Sequence, residues 1–129
     1  MSERQLENRL ILVVEDEYLI ADDMRGALLE AGAEVLGPVP TVDAAITLLA
    51  AAPQLDGALL DINLAGTMVF DFADTLAHRA VPFVFATGYD KSAIPDRFAD
   101  VPRLEKPVKA RTVLAALGPL LGEQAGSRA

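Results

Sequence analysis

The chain has no cysteine, so it carries neither a disulfide framework nor a thiolate metal site, and a reducing compartment suits it. Every apolar stretch falls well short of the roughly 20 residues that a membrane span requires. The opening segment, Met1 to Arg9, is charged and lacks the apolar run of a secretion signal. Basic residues are scarce: 11 Lys and Arg against 19 Asp and Glu leave a formal charge of -8. That balance argues against nucleic-acid binding, which needs clustered Lys and Arg for phosphate contacts. Histidine occurs once, as His78 beside Arg79, with no Asp or Ser partner set around it, which reads as a surface residue. No linker, low-complexity block or internal repeat interrupts the 129 residues. A single cytoplasmic domain with a sizeable core is expected.

The few bases are unevenly placed. Residues 88–115 carry six (Lys91, Arg97, Arg103, Lys106, Lys109, Arg111) against four acids, while the rest of the chain carries five against fifteen. This is either ordinary surface variation or a sign that the fourth and fifth βα units present a partner surface unlike that of the first helix.

Short apolar runs at 10–14, 34–39, 58–61, 82–86 and 101–105 alternate with helical patterns, the signature of βα units around a parallel sheet. Several runs are continuous, as in strands covered on both faces. A first helix is expected over about 17–31, with Ile20, Met24, Ala27, Leu28 and Ala31 on one face and Gly32 closing it. Thr41 is the predicted N-cap of a second helix that buries Val42, Ala45, Ile46 and Leu49, with Pro53 just beyond its end. A third, about 67–79, aligns Val69, Phe72, Ala73 and Leu76. A short fourth begins near Pro95, a proline tolerated at the first helical position, and buries Ile94 and Phe98. The fifth, about 108–121, aligns Ala110, Val113, Leu114 and Leu117 until Gly118-Pro119 ends or kinks it. Five such units predict an α/β, three-layer, doubly wound parallel sheet over residues 9–121. Residues 1–8 and 122–129 are expected to be short flexible tails, with no output domain following.

Chemistry-bearing residues stand where the apolar runs stop. Glu15-Asp16 follows the first run, Asp61 the third, Thr87 the fourth and Lys106 the fifth. In an open parallel sheet the carboxyl ends of the strands share one crevice. Three carboxylates, a hydroxyl and an ammonium are therefore expected to meet there. Such a set suits phosphoryl transfer to an aspartate. Mg²⁺ would offset the repulsion between anions, held by Glu15, Asp16 and Asp61, with the Asn63 backbone carbonyl a further ligand. Lys106 would pair with phosphoryl oxygens, and Thr87 would donate a hydrogen bond to another. Alone, an acidic pair before a helix can simply balance the helix dipole. The ordered set, each member at a strand end, goes beyond that.

The stretches ILVVEDE, GALLDINLAG, PFVFATGYD and LEKPV closely resemble the receiver domain of bacterial two-component response regulators, over about residues 9–121. The resemblance implies that Asp61 is the phosphoacceptor and that Glu15 and Asp16 form the acidic metal pocket. It further implies that Thr87 and Lys106 read the phosphoryl group, that the strand order is flavodoxin-like, 2-1-3-4-5, and that the Lys106-Pro107 bond is cis. Phe85-Ala86-Thr87-Gly88-Tyr89 is similar to the signature of the FATGUY subgroup, often stand-alone receivers partnered with histidine kinases of the HWE or related type. Arg103 holds the place where receivers usually carry a switch aromatic, so Tyr89, Arg103 and Pro107 become the candidate switch and partner surface. Met68 and Phe70, after Asp61, read as packing residues or as a kinase-facing rim.

The expected function is that of a single-domain response regulator. It would accept a phosphoryl group from a histidine kinase or phosphotransfer protein and signal to a protein effector in trans through its fourth and fifth βα units. Its chemistry would be self-catalysed, not that of an enzyme. Two alternatives are a receiver-fold binding module independent of phosphorylation, and a flavodoxin-like flavin or nucleotide binder. The second is opposed by Glu15-Asp16-Glu17 at the first turn, where a nucleotide phosphate would want glycines and free N–H groups.

Overall fold

The computed structural model describes residues 6–52, 54–88 and 94–128, with side chains to Leu121. In chain order the elements are β1 (Leu10–Val14), α1 (Tyr18–Glu30), β2 (Glu34–Val39), α2 (Val42–Ala51), β3 (Gly57–Asp61), β4 (Asn63–Leu64), β5 (Thr67–Met68), α3 (Phe70–His78), β6 (Phe83–Thr87), a 3-10 turn (Asp96–Phe98), β7 (Arg103–Glu105) and α4 (Ala110–Arg128). Five strands form one sheet in the order β2-β1-β3-β6-β7, every pair parallel. Strands β4 and β5 make a separate antiparallel hairpin. Setting that hairpin aside, the order is the expected 2-1-3-4-5.

The strands read as continuous apolar runs because both faces of the sheet are covered. Alternate side chains go to opposite layers. Leu12, Val14, Leu60 and Phe85 pack with Ala45 and Leu49 of α2 and Phe72 and Leu76 of α3. Ile11, Val13, Leu59 and Val84 pack with Met24 and Leu28 of α1 and Val113 and Leu117 of α4. Thr41 caps α2 as predicted, its hydroxyl accepting from the Ala44 N–H at 3.1 Å, and Gly32 closes α1 with φ of 95°.

Several expectations are corrected. Ile46 is 50% exposed and lies outside the core, although the helical spacing had placed it there. Leu6 is not part of a loose tail over 1–8; it is fully buried against the α1–α4 layer, and the Asn8 N–H donates to the Gly32 carbonyl. Pro95 precedes a 3-10 turn as its N-cap, and does not begin an α-helix. Helix α3 starts at Phe70, because Thr67-Met68 pair with Asn63-Leu64. Helix α4 begins at Ala110 and runs through Gly118-Pro119 into the expected 122–129 tail, as far as Arg128. Pro119 sits mid-helix, where it cannot donate to the Ala115 carbonyl; both residues are exposed, so solvent is at hand for the group left over. Pro53 and Tyr89 lie outside the described residues.

One backbone irregularity bears on the site. Gly37 has φ of 94°, and a Cβ there would lie 2.9 Å from the Val13 carbonyl oxygen. The β1–β2 register shifts at this point. The shift leaves the Val39 carbonyl free to accept from the Glu15 N–H at 3.0 Å, which fixes the start of the acidic pair.

Candidate functional site

Four of the five strands end at the same crevice and deliver its chemical groups. Glu15 follows β1 and is 2% exposed; Asp61 ends β3 and is 6% exposed. Thr87 ends β6, and its carbonyl accepts from the Lys106 N–H at 2.8 Å, which extends the β6–β7 pairing just far enough to aim the lysine inward. The Lys106-Pro107 bond is cis. Lys106 Nζ then donates to Asp61 Oδ1 at 2.8 Å and lies 2.7 Å from Glu15 Oε1. A cavity of about 330 Å³ opens above them, lined by Glu15, Asp16, Asp61, Asn63, Thr87 and Lys106 among others.

The electrostatics follow from burial. Removal from water pushes Asp61 up to about 6, helped by the charge of Glu15, while the Lys106 hydrogen bond pulls it back only partly. Burial alone would lower Lys106, but its hydrogen bond to Asp61 and its ion pair with Glu15 outweigh that and hold it above its ordinary value. The ammonium therefore stays charged and acts as the resident counter-ion for two buried carboxylates.

The residues suit a hard divalent cation. Carboxylate oxygens of Glu15, Asp16 and Asp61 lie within 4.8 Å of one another. Glu15 Oε2 accepts from the Glu17 N–H at 3.1 Å. Glu15 Oε1 is buried and accepts no aligned hydrogen bond; the nearby lysine serves it as a charge, not as a directed donor. An oxygen so placed, with two more carboxylates beside it, is what an ion bound by one or two carboxylates, carbonyls and waters requires. The Asn63 side chain is already committed, its Oδ1 accepting from the Gly66 N–H at 2.7 Å. Only its backbone carbonyl remains for an ion.

The structure thus brings Glu15, Asp16, Asp61, Asn63, Thr87 and Lys106 together. Arg103 stands apart, exposed on the edge strand β7 and paired in register with Phe85. Pro107 is also exposed, and His78 lies at the exposed end of α3. Met68 is 42% exposed, whereas Phe70 packs between Phe85 and Phe98.

The hairpin wall was not foreseen. Ala65 and Gly66 line the cavity and take φ of 54° and 98°, the positive values of a tight two-residue hairpin turn. The sequence Asn63-Leu64-Ala65-Gly66-Thr67-Met68 carried that signal in its glycine, but two-residue strands are too short to show alternation.

No family model matches the chain, and no curated protein matches it. Among solved structures it is similar to SdrG from Sphingomonas melonis Fr1, at 39% identity and a TM-score of 0.79, covering 88% of this chain and 97% of that one. It is also similar to the BeF3-activated conformation of SdrG from Pseudomonas melonis Fr1, at 38% identity and a TM-score of 0.71, over 87% and 95%. A response regulator receiver protein from Sinorhizobium medicae WSM419 matches at 26% identity and a TM-score of 0.73, over 91% and 97%.

Proposed function

This chain belongs to the response regulator receiver family, and we propose that within it Asp61 accepts a phosphoryl group from a phosphohistidine. The signal then passes to a protein partner through the surface around β6, the 3-10 turn and β7. The donor is a histidine kinase or phosphotransfer protein, and the similarity of residues 85–89 to the FATGUY signature favours the HWE type. The transfer is self-catalysed and its purpose is signalling, not turnover of a substrate.

One observation carries the reading: a buried Asp61 hydrogen-bonded at 2.8 Å by a lysine, with two further carboxylates converging on it. An ion pair kept only for stability would not need the extra buried negative charge, which opposes folding. The BeF3-activated conformation of SdrG supports the same chemistry, since beryllofluoride imitates a phosphoryl group.

In the reaction an Asp61 carboxylate oxygen forms the new P–O bond as the P–N bond to the donor imidazole breaks, the electron pair staying on nitrogen. Lys106 shifts from carboxylate to phosphoryl oxygen, where a mobile point charge serves well. The Thr87 hydroxyl donates to another phosphoryl oxygen. Glu15 and Asp16, with Asp61, would hold Mg²⁺, which when bound supplies the positive charge that lets two anions meet. Hydrolysis reverses the modification: water attacks phosphorus, the acyl phosphate bond breaks, and carboxylate and inorganic phosphate are released. Positioning and charge neutralisation supply the rate.

The test is incubation with phosphoramidate and Mg²⁺, followed by intact mass. The wild type should gain one phosphoryl group and Asp61→Asn none. Labelling that persists in Asp61→Asn would remove Asp61 from the role.

A further inference from the structure

Away from the cavity, a second ionic contact ties the 3-10 turn to α3. Arg97 Nε and Nη2 donate to Asp74 Oδ1 and Oδ2 at 2.9 and 3.0 Å, a side-on fork that fixes the guanidinium in one plane. The same guanidinium lies 4.7 Å from the centre of the Phe98 ring. The pair sits at the surface, with side chains 50% and 37% exposed, and the hydrogen bond holds Asp74 below the usual carboxylate range.

Between Asp96 and Asp100 only Phe98 is buried. Its ring stacks on Phe70 at 5.8 Å and meets Phe85 and Phe83 edge-on at 5.6 and 6.0 Å. Those rings lie in the core, on elements whose neighbouring residues wall the site. Phe85 lies two residues before Thr87 on β6, and Phe70 follows directly on the hairpin that contributes Asn63 and Gly66. A displacement of either wall therefore reaches Phe98 through ring contacts, and Phe98 is clamped from outside by Arg97.

We propose that the Asp74–Arg97 pair, closed over Phe98, is a latch that holds the 3-10 turn against α3 in the unphosphorylated protein and opens when Asp61 is phosphorylated. This rests on Asp61 being the phosphoacceptor. When Thr87 is drawn toward a phosphoryl group, Phe85 moves with its strand. Phe98 cannot follow Phe85 and also keep its place under a guanidinium fixed to α3. An exposed ion pair is weak enough for a bound phosphoryl group to open. By linkage, whatever favours the closed state lowers the affinity for a phosphoryl mimic, and removing it raises that affinity.

The experiment is a beryllofluoride titration in Mg²⁺, read by fluorine NMR, on the wild type, Asp74→Asn, Arg97→Gln and the double variant. All should keep the wild-type circular dichroism spectrum. Each single variant should bind roughly two- to fivefold more tightly, the span set by exposed ion pairs, and the double variant no more tightly than the singles. Unchanged or weaker binding in the singles, or additive gains in the double, would overturn the latch while leaving Asp61 in its role. A wild type that binds no beryllofluoride, like Asp61→Asn, would overturn the phosphoacceptor reading and the latch with it.

Discussion

Neutralising Asp61 should stabilise the metal-free protein, and by an amount that depends on pH in a defined way. In the folded state its carboxyl is pushed up to about 6, against an ordinary value of 3.8. The folded state therefore binds this proton more tightly than the unfolded chain. The associated stability is fully present below about pH 4 and is lost as pH rises through about 6. The difference between the two values corresponds to about 3 kcal/mol once both states are ionised. Lys106 stays protonated throughout this window, since it is held above its ordinary value. Asp61→Asn cannot ionise, so it escapes the loss, although it leaves Lys106 with Glu15 alone. The gap between the two proteins in EDTA should be about 1–3 kcal/mol at pH 8, about half that at pH 5, and small at pH 4. Carboxylates away from the Asp61–Lys106–Glu15 cluster are common to both and cancel. Urea unfolding is the assay, followed by far-ultraviolet circular dichroism because the chain has no tryptophan. With a urea slope of about 2 kcal/mol/M, the midpoint should move by roughly 0.5–1.5 M at pH 8. An Asp61→Asn protein less stable than wild type at pH 8, or a gap that does not change between pH 8 and pH 5, would refute the electrostatic account of this site.

Millimolar Mg²⁺ should raise the wild-type melting temperature by mass action and raise that of Asp61→Asn or Asp16→Asn much less; equal shifts in all three would place the ion elsewhere. Lys106→Met strands two buried carboxylates without a cation, and should cost about 3 kcal/mol in EDTA; unchanged urea stability would mean the ion pair contributes nothing. Gly37→Ala should lower stability more than Gly66→Ala, by melting temperature. Both glycines have positive φ, but only at Gly37 would the new Cβ meet backbone, at 2.9 Å. Arg103→Ala, at an exposed edge position, should leave stability within about 0.5 kcal/mol and Asp61 phosphorylation intact while weakening partner binding; an Arg103→Ala protein that cannot be phosphorylated would contradict its placement.

Much of the fold was legible because the physics is local and repetitive. Runs such as Ile11–Val14 and Phe83–Ala86 are apolar at every position, which only a strand covered on both faces tolerates. Thr41 and Gly32 mark a helix start and a helix end by their own backbone chemistry. What escaped depends on distance or on exposure. Ile46 keeps the helical spacing, but the spacing cannot say how wide the covered stripe of α2 is. Leu6 lies only four residues before β1 begins, yet it is buried by α1 and α4, which come later in the chain. Pro119 breaks helices only where its neighbours cannot turn the orphaned carbonyl to water, and that is a property of the finished surface.

The site was legible for a different reason: a parallel sheet converts sequence order into spatial convergence, so four strand ends are enough to locate one crevice. Its energetics were not. Nothing in the spacing of Glu15, Asp61 and Lys106 states that one ammonium bridges two buried carboxylates at 2.7 and 2.8 Å, or that Glu15 Oε1 is left without a directed donor. The same gap separates the missing switch aromatic from what fills its space. Arg103 on β7 is exposed, so β7 supplies no ring behind β6. The rings in that region come instead from β6 itself, from the first residue of α3 and from the 3-10 turn: Phe85, Phe83, Phe70 and Phe98, all within about 6 Å of a neighbour. Phe70 and Phe98 are 28 positions apart in sequence, and neither follows a motif. A contact of that kind is set by packing alone, and it ties β6 and the 3-10 turn to the side of the sheet where α3 lies.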